Sequence, residues 1–403
     1  MTQWLAQGEG EPGWMADPIA FMLNASSADS FFADCFERKH VLASSADPRR
    51  FDDLLSVEAI DAFINGGDLR QGMLELVRHP DRIDPSLYLS TDGRVIASAV
   101  TEQYLNGATV ILPQLHESMP RLGALCRALE RILSCHTQTN IYLTPPGHQG
   151  FATHYDNHDV FVLQLSGAKH WRIYGTPISI PYRGEGFTLG QHDPGEVTDS
   201  LTLRAGDCLY LPRGVMHDAP NAGNEPSLHI TVGLITRTWA DLMLEAVSEL
   251  AIGEPAFRRS LPPGFARPGF DRTAAEAHFR DLARLIADKA VMDNAFDLMA
   301  HEFLRSRRPE VTGVLAAGPE APVDASRFRR RPLVPFQLAD DDGRIALIGP
   351  GGDIFFGTGD LPALELALSG DAFGRDDLST AADPHYVIRK LWANGYLERV
   401  EQD

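Results

Sequence analysis

Cysteine is scarce in this 403-residue chain, and none of its four cysteines, Cys35, Cys126, Cys135 and Cys208, forms a CxxC pair. That excludes a disulfide framework and a cysteine-based zinc site, and it fits reduced thiols in a cytosolic protein. Long apolar runs are missing as well. No stretch approaches the ~18 apolar residues of a membrane-spanning helix. The opening MTQWLAQGEGEPGWMADP has neither a basic start nor an apolar run, so no signal peptide is expected and the protein is read as soluble and cytoplasmic. Positive charge is in deficit: 36 Lys and Arg stand against 55 Asp and Glu, a net charge of −19. Such a chain is poorly suited to hold nucleic acid through counterion release, and its field repels anionic membranes. Internal repeats, low-complexity tracts, a G-x-S-x-G elbow and a P-loop are all absent, and Gly349-Pro350-Gly351-Gly352 reads as a turn. What is present is ordinary globular composition, 44% hydrophobic and 23% charged, at a length for two or three domains.

The character of the text changes along the chain. Phe51–Ile64 and Gln114–Leu133 carry helical spacing, with short β-rich runs such as Val95–Val100 between them. Ile141–Leu234 is rich in β-branched and aromatic residues, punctuated every 8–12 residues by Gly, Pro, Asn or Asp, the pattern of an all-β sandwich or barrel. Within it, Val160–Leu165, Ser166-Gly167 and Trp171–Tyr174 read as a hairpin. Leu201–Leu203, Ala205-Gly206-Asp207, Cys208–Leu211 and Pro212-Arg213-Gly214 read as strand, turn, strand, turn. From Trp239 the pattern is helical over 239–252 and 273–305, with Phe279, Leu282, Leu285 and Ile286 at three- and four-residue spacing. Pro309–Pro335, with its basic knot Arg327, Arg329, Arg330 and Arg331, reads as a linker. The remainder reads as a small α+β unit, with helices over Leu361–Leu368 and Pro384–Trp392 and a turn at Asn394-Gly395 leading into Tyr396–Val400.

The chemistry is in the β segment. Eight of the 14 histidines fall between His136 and His229. His154 and Asp156 form an H-x-D at the start of a predicted strand, where residues two apart share a face and can grip one ion. His217, just past the Pro212-Arg213-Gly214 turn, is the best candidate for a second imidazole from a distant strand. Two histidines and one carboxylate on one face make the facial triad of non-haem Fe(II) oxygenases, with positions left open for cosubstrate and O2. Lys169, 15 residues after His154, suits that chemistry by charge. Fe(II), Asp156 and a 2-oxoglutarate dianion leave one negative charge, and an ammonium group at the distal carboxylate neutralises it. Burying that carboxylate unpaired would cost several kcal/mol. His158, His170 and His229 are read as ordinary strand histidines or neighbours of the site, and Trp171 and Tyr174 as core.

NIYLTPPGHQGFATHYDNHDVFVLQLSGAKHWRIY (Asn140–Tyr174) and GDCLYLPRGVMHDA (Gly206–Ala219) together resemble the JmjC-type cupin oxygenases, most of all the ribosomal-oxygenase branch of 2-oxoglutarate-dependent protein hydroxylases. The resemblance is specific over about 100 residues and extends to the rest as layout. It implies an α+β chain built on a double-stranded β-helix, a jelly-roll cupin. By that layout 1–238 is the JmjC catalytic domain with an N-terminal helical elaboration, 239–308 a helical dimerisation segment, 309–335 a linker and 336–403 a winged-helix-like domain. It makes His154, Asp156 and His217 the iron ligands and sets Lys169 against the distal carboxylate of the cosubstrate 2-oxoglutarate. Tyr142 and Asn140, with Thr231, fall where the family places polar groups near that cosubstrate. Two positions depart from the pattern: His148 stands in a turn where a small residue is usual, and Gly233 where a hydroxyl residue is expected. The implied activity is hydroxylation, with O2, of a side chain of a protein or peptide, either a ribosomal protein or a natural-product precursor; the acidity of the chain suits a basic target. The alternatives are a JmjC N-methyl-lysine demethylase, or a metal-binding cupin or regulator without oxygenase activity. A homodimer is expected. Arg389 and Lys390 are the sole cations of the second C-terminal helix, after Asp376, Asp377 and Asp383, so a nucleic-acid partner is not expected.

Overall fold

The computed structural model describes residues 13–25, 27–182, 184–221, 223–318 and 326–400. The N-terminal stretch judged for a signal peptide lies outside them up to residue 12, as does the 319–325 part of the expected linker. The chain divides into two compact units, Gly10–Thr236 and Arg237–Asp403.

The first unit is built on two sheets. The larger runs, in spatial order, β1 (Val41–Ala43), β9 (Cys208–Leu211), β6 (Asp159–Ser166), β11 (Ser227–Ile235), β5 (His136–Thr144), β4 (Thr109–Pro113), β2 (Glu75–Arg78) and β3 (Asp81–Arg82). The smaller is β10 (His217–Asp218), β7 (Ala168–Ile173) and β8 (Asp199–Arg204). Strand periodicity divides the residues between faces. Val160 and Val162 of β6 and Leu209 and Leu211 of β9 meet Trp171, Ile173 and Leu203 of the smaller sheet in one apolar layer. The opposite face of the large sheet packs aromatics from the N-terminal helices, with Phe31 4.8 Å from the Tyr210 ring and 5.4 Å from Phe161. This is the double-stranded β-helix that the family resemblance implied, in a chain of mixed helix and sheet.

The hairpin expected at 160–174 is absent. β6 pairs with β9 and β11, whereas β7 pairs with β8 and β10 in the other sheet. Ser166-Gly167 is therefore a corner that carries the chain across the core. Gly167 sits at φ +64, and a Cβ there would collide with the Pro226 carbonyl oxygen. Gly206, at φ +89, turns the same kind of corner between β8 and β9, against the Asp47 carbonyl. Turn chemistry marks a reversal but not which sheet receives the next strand, so the two cases look alike in sequence.

Val95–Val100 also differs from its β-rich reading. Ala97–Leu105 is a helix whose one buried residue is Val100, and the T-E-Q-Y-L that follows favours the helix over the strand. The 273–305 helix is two, Thr273–Lys289 and Met292–Arg305, parted by an extended Ala290.

In the second unit, Thr238 and Asp241 cap the helix Trp239–Gly253 reciprocally. Arg327–Arg330, read as linker, is strand β12, paired antiparallel with β16 (Leu397–Val400). Alternation turns Phe328 into the core beside Phe373 and Trp392, so the basic residues decorate a strand. A meander of β13 (Gln337–Asp341), β14 (Arg344–Gly349) and β15 (Gly352–Gly357) went unread in the sequence, and the 349–352 turn closes its second hairpin. Helices Leu361–Ala367 and Pro384–Ala393 complete that core.

Gly167→Ala should lower stability by at least about 1 kcal/mol, since the substitution forces both a left-handed Cβ and an overlap. A thermal melt should show a drop of roughly 2–4 °C or more for a unit of this size; an unchanged midpoint would contradict the corner geometry.

Candidate metal centre

Two mutual backbone hydrogen bonds make the centre. The His154 N–H donates to the His217 carbonyl at 3.0 Å, and the His217 N–H to the His154 carbonyl at 2.7 Å. His154 and Asp156 thus lie not in a strand but in the extended segment that precedes β6, docked on β10. The two imidazoles sit 4.6 Å apart, centroid to centroid. One donor atom from each of His154, Asp156 and His217 falls within 4.8 Å of the others. Asp156 oxygens lie 4.0 Å from His154 Nε2 and 3.7 Å from His217 Nε2, too far for hydrogen bonds. Two donors each about 2.1 Å from a shared ion lie roughly 3–4 Å apart, so the spacing suits a cation between them.

The tautomers agree. Each Nδ1 faces a carbonyl two residues back, that of Ala152 at 2.8 Å for His154 and of Val215 at 3.0 Å for His217. Those bonds hold the proton on Nδ1 and leave the Nε2 lone pairs toward Asp156. Burial, then the neighbouring His154, push His217 down to about 4, so it is a neutral ligand at neutral pH. Burial alone would raise the Asp156 carboxyl, but the facing His154, His217 and His158 outweigh it and keep Asp156 below the usual carboxylate range. A second tie flanks the pair. Asp218 accepts from the Thr153 hydroxyl (2.7 Å), the Tyr174 hydroxyl (2.9 Å) and Arg172 Nε (2.6 Å).

Beyond the triad, between the sheets, lies Lys169. It is 3% exposed, and among the described residues its ammonium makes no hydrogen bond or ion pair. Burial pushes it down to about 7. His229 of β11 stacks on Tyr142 at 4.8 Å, with Trp171 at 6.0 Å, and burial followed by the charge of Lys169 pushes it well below the ordinary histidine range. Trp171 Nε1 and His229 Nδ1 are buried without partners. Unpaired buried donors beside an unpaired buried cation are costly unless an anion is received there. A dianion chelating a metal at the triad, with its far carboxylate at Lys169, fits that donor set.

The structure brings most of the predicted site residues onto one face. Tyr142 pairs in register with His229, and Asn140 with Thr231, across β5 and β11. Thr231 lies between Asn140 and Val162 on the inner side of the large sheet. Asn140 is partly committed elsewhere, since its side-chain oxygen accepts the Gln114 N–H at 3.3 Å. Trp171, read as core, has its ring 5.6 Å from that of His217, and Phe151, which the sequence reading passed over, has its ring 5.7 Å from that of His154. His229 lies two residues before Thr231 on β11, so strand alternation sets both on the same face. The two departures have local causes. His148 packs over Gly107, and the His158 ring covers Gly233, where a Cβ would come within 3.3 Å of it.

A protein-family model, the JmjC domain, matches residues 114–242. The protein named bifunctional lysine-specific demethylase and histidyl-hydroxylase NO66 of Dictyostelium discoideum is 33% identical over 267 residues, 62% of this chain and 50% of that protein. Ribosomal oxygenase 1 of Gallus gallus is 31% identical over 314 residues, 73% of this chain and 52% of that protein. The chain thus spans about half the length of these relatives. Among solved structures, the Escherichia coli ribosomal oxygenase YcfD aligns over 92% of this chain and 97% of its own, with a TM-score of 0.52 at 17% identity. YcfD in complex with cobalt and 2-oxoglutarate aligns over 92% and 98%, with a TM-score of 0.51 at 15% identity. At that identity the likeness is one of fold.

Lys169 generates a signed prediction. Its proton is held less tightly in the fold (about 7) than in the unfolded chain (10.5), so stability of the unliganded protein rises with pH between those values. Lys169→Met removes that contribution. The variant should melt above the parent, by more at about pH 7 than at about pH 10. A gap independent of pH would show that the ammonium is not buried unpaired.

Proposed function

We propose that this chain, whose residues 114–242 match the JmjC domain, is an Fe(II)- and 2-oxoglutarate-dependent dioxygenase that hydroxylates a side chain of a protein or peptide. The observation that carries this reading is a His-Asp-His donor set in the same unit as a buried ammonium that makes no hydrogen bond or ion pair among the described residues. Bound there, Fe(II) and 2-oxoglutarate supply the oxidising power, drawn from O2, to replace a C–H bond by C–OH.

The chain's own residues do the rest. His154 and His217 present neutral Nε2 lone pairs, and Asp156 supplies the one negative charge that helps retain a divalent ion. Lys169 receives the distal carboxylate, which restores its charge and cancels the net negative charge of the loaded site. Tyr142, Asn140 and Thr231 line the inner wall beside it. Val162, Leu203 and Leu209 close the interior against water, which protects an oxidising centre from side reactions.

A polypeptide target suits the net charge of −19 if the target is basic. The name of the Gallus protein favours a ribosomal protein over a natural-product precursor. Demethylation of N-methyl-lysine is the second reading, favoured by the double name of the Dictyostelium relative. A metal-binding cupin without oxygenase activity is disfavoured by Lys169, for which such a protein has no use. No helix among the described residues is long and apolar enough to cross a membrane, and a ribosomal target puts the enzyme in the cytoplasm.

For the second unit we propose homodimerisation through 239–308 and a winged-helix-like, structural role for 336–403. Supporting the first, the helix Thr273–Lys289 buries none of its residues in its own chain, and Phe279 is 71% exposed. Supporting the second, Arg389 and Lys390 are too few cations for groove binding.

Anaerobic addition of Fe(II) and 2-oxoglutarate should give a visible metal-to-ligand charge-transfer band, which His154→Ala and Asp156→Ala abolish and Lys169→Ala shifts to higher cosubstrate concentration. Succinate release that survives His217→Ala would overturn the assignment. Mass spectrometry of basic ribosomal peptides separates the two activities: a gained oxygen supports hydroxylation, a lost methyl group demethylation. Phe279→Asp should convert a dimer to a monomer by light scattering; an unchanged mass would remove that surface.

A further inference from the structure

The Asp156 carboxylate differs from the two imidazoles in how it is held. Each histidine has an Nδ1 bond that fixes its ring. Asp156 has none: among the described residues no N–H or O–H donates to its carboxylate, and its side chain is 31% exposed. Its position relative to His217 therefore depends on the backbone that carries it.

That backbone is clamped. The Asp156 carbonyl accepts the Gly214 N–H at 2.9 Å. Gly214 holds φ +88, and a Cβ there would strike the Ile178 carbonyl, so the turn into His217 admits only glycine. Three residues past Asp156, Asp159 is fully buried. One of its oxygens accepts the Tyr210 hydroxyl at 2.7 Å, and the other accepts Arg213 at 2.5 Å. Arg213, 7% exposed and four residues before His217, uses its second amino group on Glu37 at 2.7 Å. The Glu37 N–H donates back to the Tyr210 hydroxyl at 2.9 Å. The result is a closed ring of contacts that joins the segment after Asp156 to the segment before His217.

We propose that Arg213 and Asp159 are positioning residues that set the separation between the Asp156 carboxylate and His217 Nε2, and through it the affinity and geometry of the metal site. The proposal rests on the metal reading given above. An apolar pair could fill the same space with equal or better stability, because a buried ion pair is expensive to desolvate. What an apolar pair lacks is direction. A guanidinium fork held by carboxylates on both sides fixes an orientation as well as a distance.

Co(II) titration of the full metal-free chain tests this, with affinity from calorimetry, coordination from the Co(II) visible spectrum, and a melt of each metal-free protein. Asp159→Asn and Arg213→Met should bind Co(II) about 10–100-fold more weakly, with an altered spectrum, as loss of outer support does at metal sites. Gly206→Ala, destabilised at a corner away from this ring, should keep both affinity and spectrum. Affinity and spectrum like the parent's in Asp159→Asn and Arg213→Met would overturn the proposal, however far their melts fall. Should those variants not fold, Arg213→Lys decides: it keeps the charge and loses the fork, and an unaltered spectrum there overturns the proposal equally. Failure of the parent chain to bind Co(II) would instead sink the metal reading itself.

Discussion

The site depends on one pair of reciprocal backbone hydrogen bonds, between His154 and His217. No side chain could substitute for it. Two residues far apart in sequence must present imidazoles at a separation that an ion can bridge, and only a strand-to-strand register fixes that to within a fraction of an ångström. The flanking ties then act in series. Thr153 reaches Asp218 on one side, and Asp156 reaches Gly214 on the other. Each adds little by itself. Together they hold the backbone that carries the donors, which limits the number of geometries in which an ion could be bound.

Lys169 shows the opposite economy. A cation without a partner in an apolar layer works against the fold that contains it, and a shift from 10.5 to about 7 measures that opposition. Such groups persist where a ligand reverses their sign. The interior around Lys169 is electrostatically incomplete, since Trp171 Nε1 and His229 Nδ1 are also buried without hydrogen-bond partners. On the function proposed above, a doubly charged acid would satisfy both the metal and the ammonium, where a monoanion would satisfy only one.

Much of this was legible in the sequence, and for identifiable reasons. The H-x-D, the later histidine and the lysine are chemistry carried by residue type, and residue type is what a sequence displays. The alternation of β-branched residues in 141–234 declared the sheets. Where strands go was not legible. Ser166-Gly167 and Ala205-Gly206-Asp207 are turn signals whether the chain doubles back or crosses over, and only packing against the Pro226 and Asp47 carbonyls decides. Val95–Val100 failed because β-branched composition was weighed over too short a window. The Arg327–Arg330 strand failed because charge hid the inward Phe328. His229 was underrated although it lies two residues before Thr231; its stacking on Tyr142 comes from the pairing of β11 with β5, which a lone strand does not reveal.

The corners at Gly167 and Gly206 have a consequence for how the protein comes into being. Since the chain crosses from one sheet to the other at both corners, many of its contacts join distant parts of the sequence. Glu37 waits for Tyr210, 173 residues further on. Chains dominated by such distant contacts fold slowly. A nascent chain still emerging from the ribosome holds His154 and Asp156 long before His217 is available, and so has no complete set of donors to offer. Loading of the ion is therefore an event of the finished unit, not of its synthesis, and a half-made molecule is spared an oxidising metal in an open cleft.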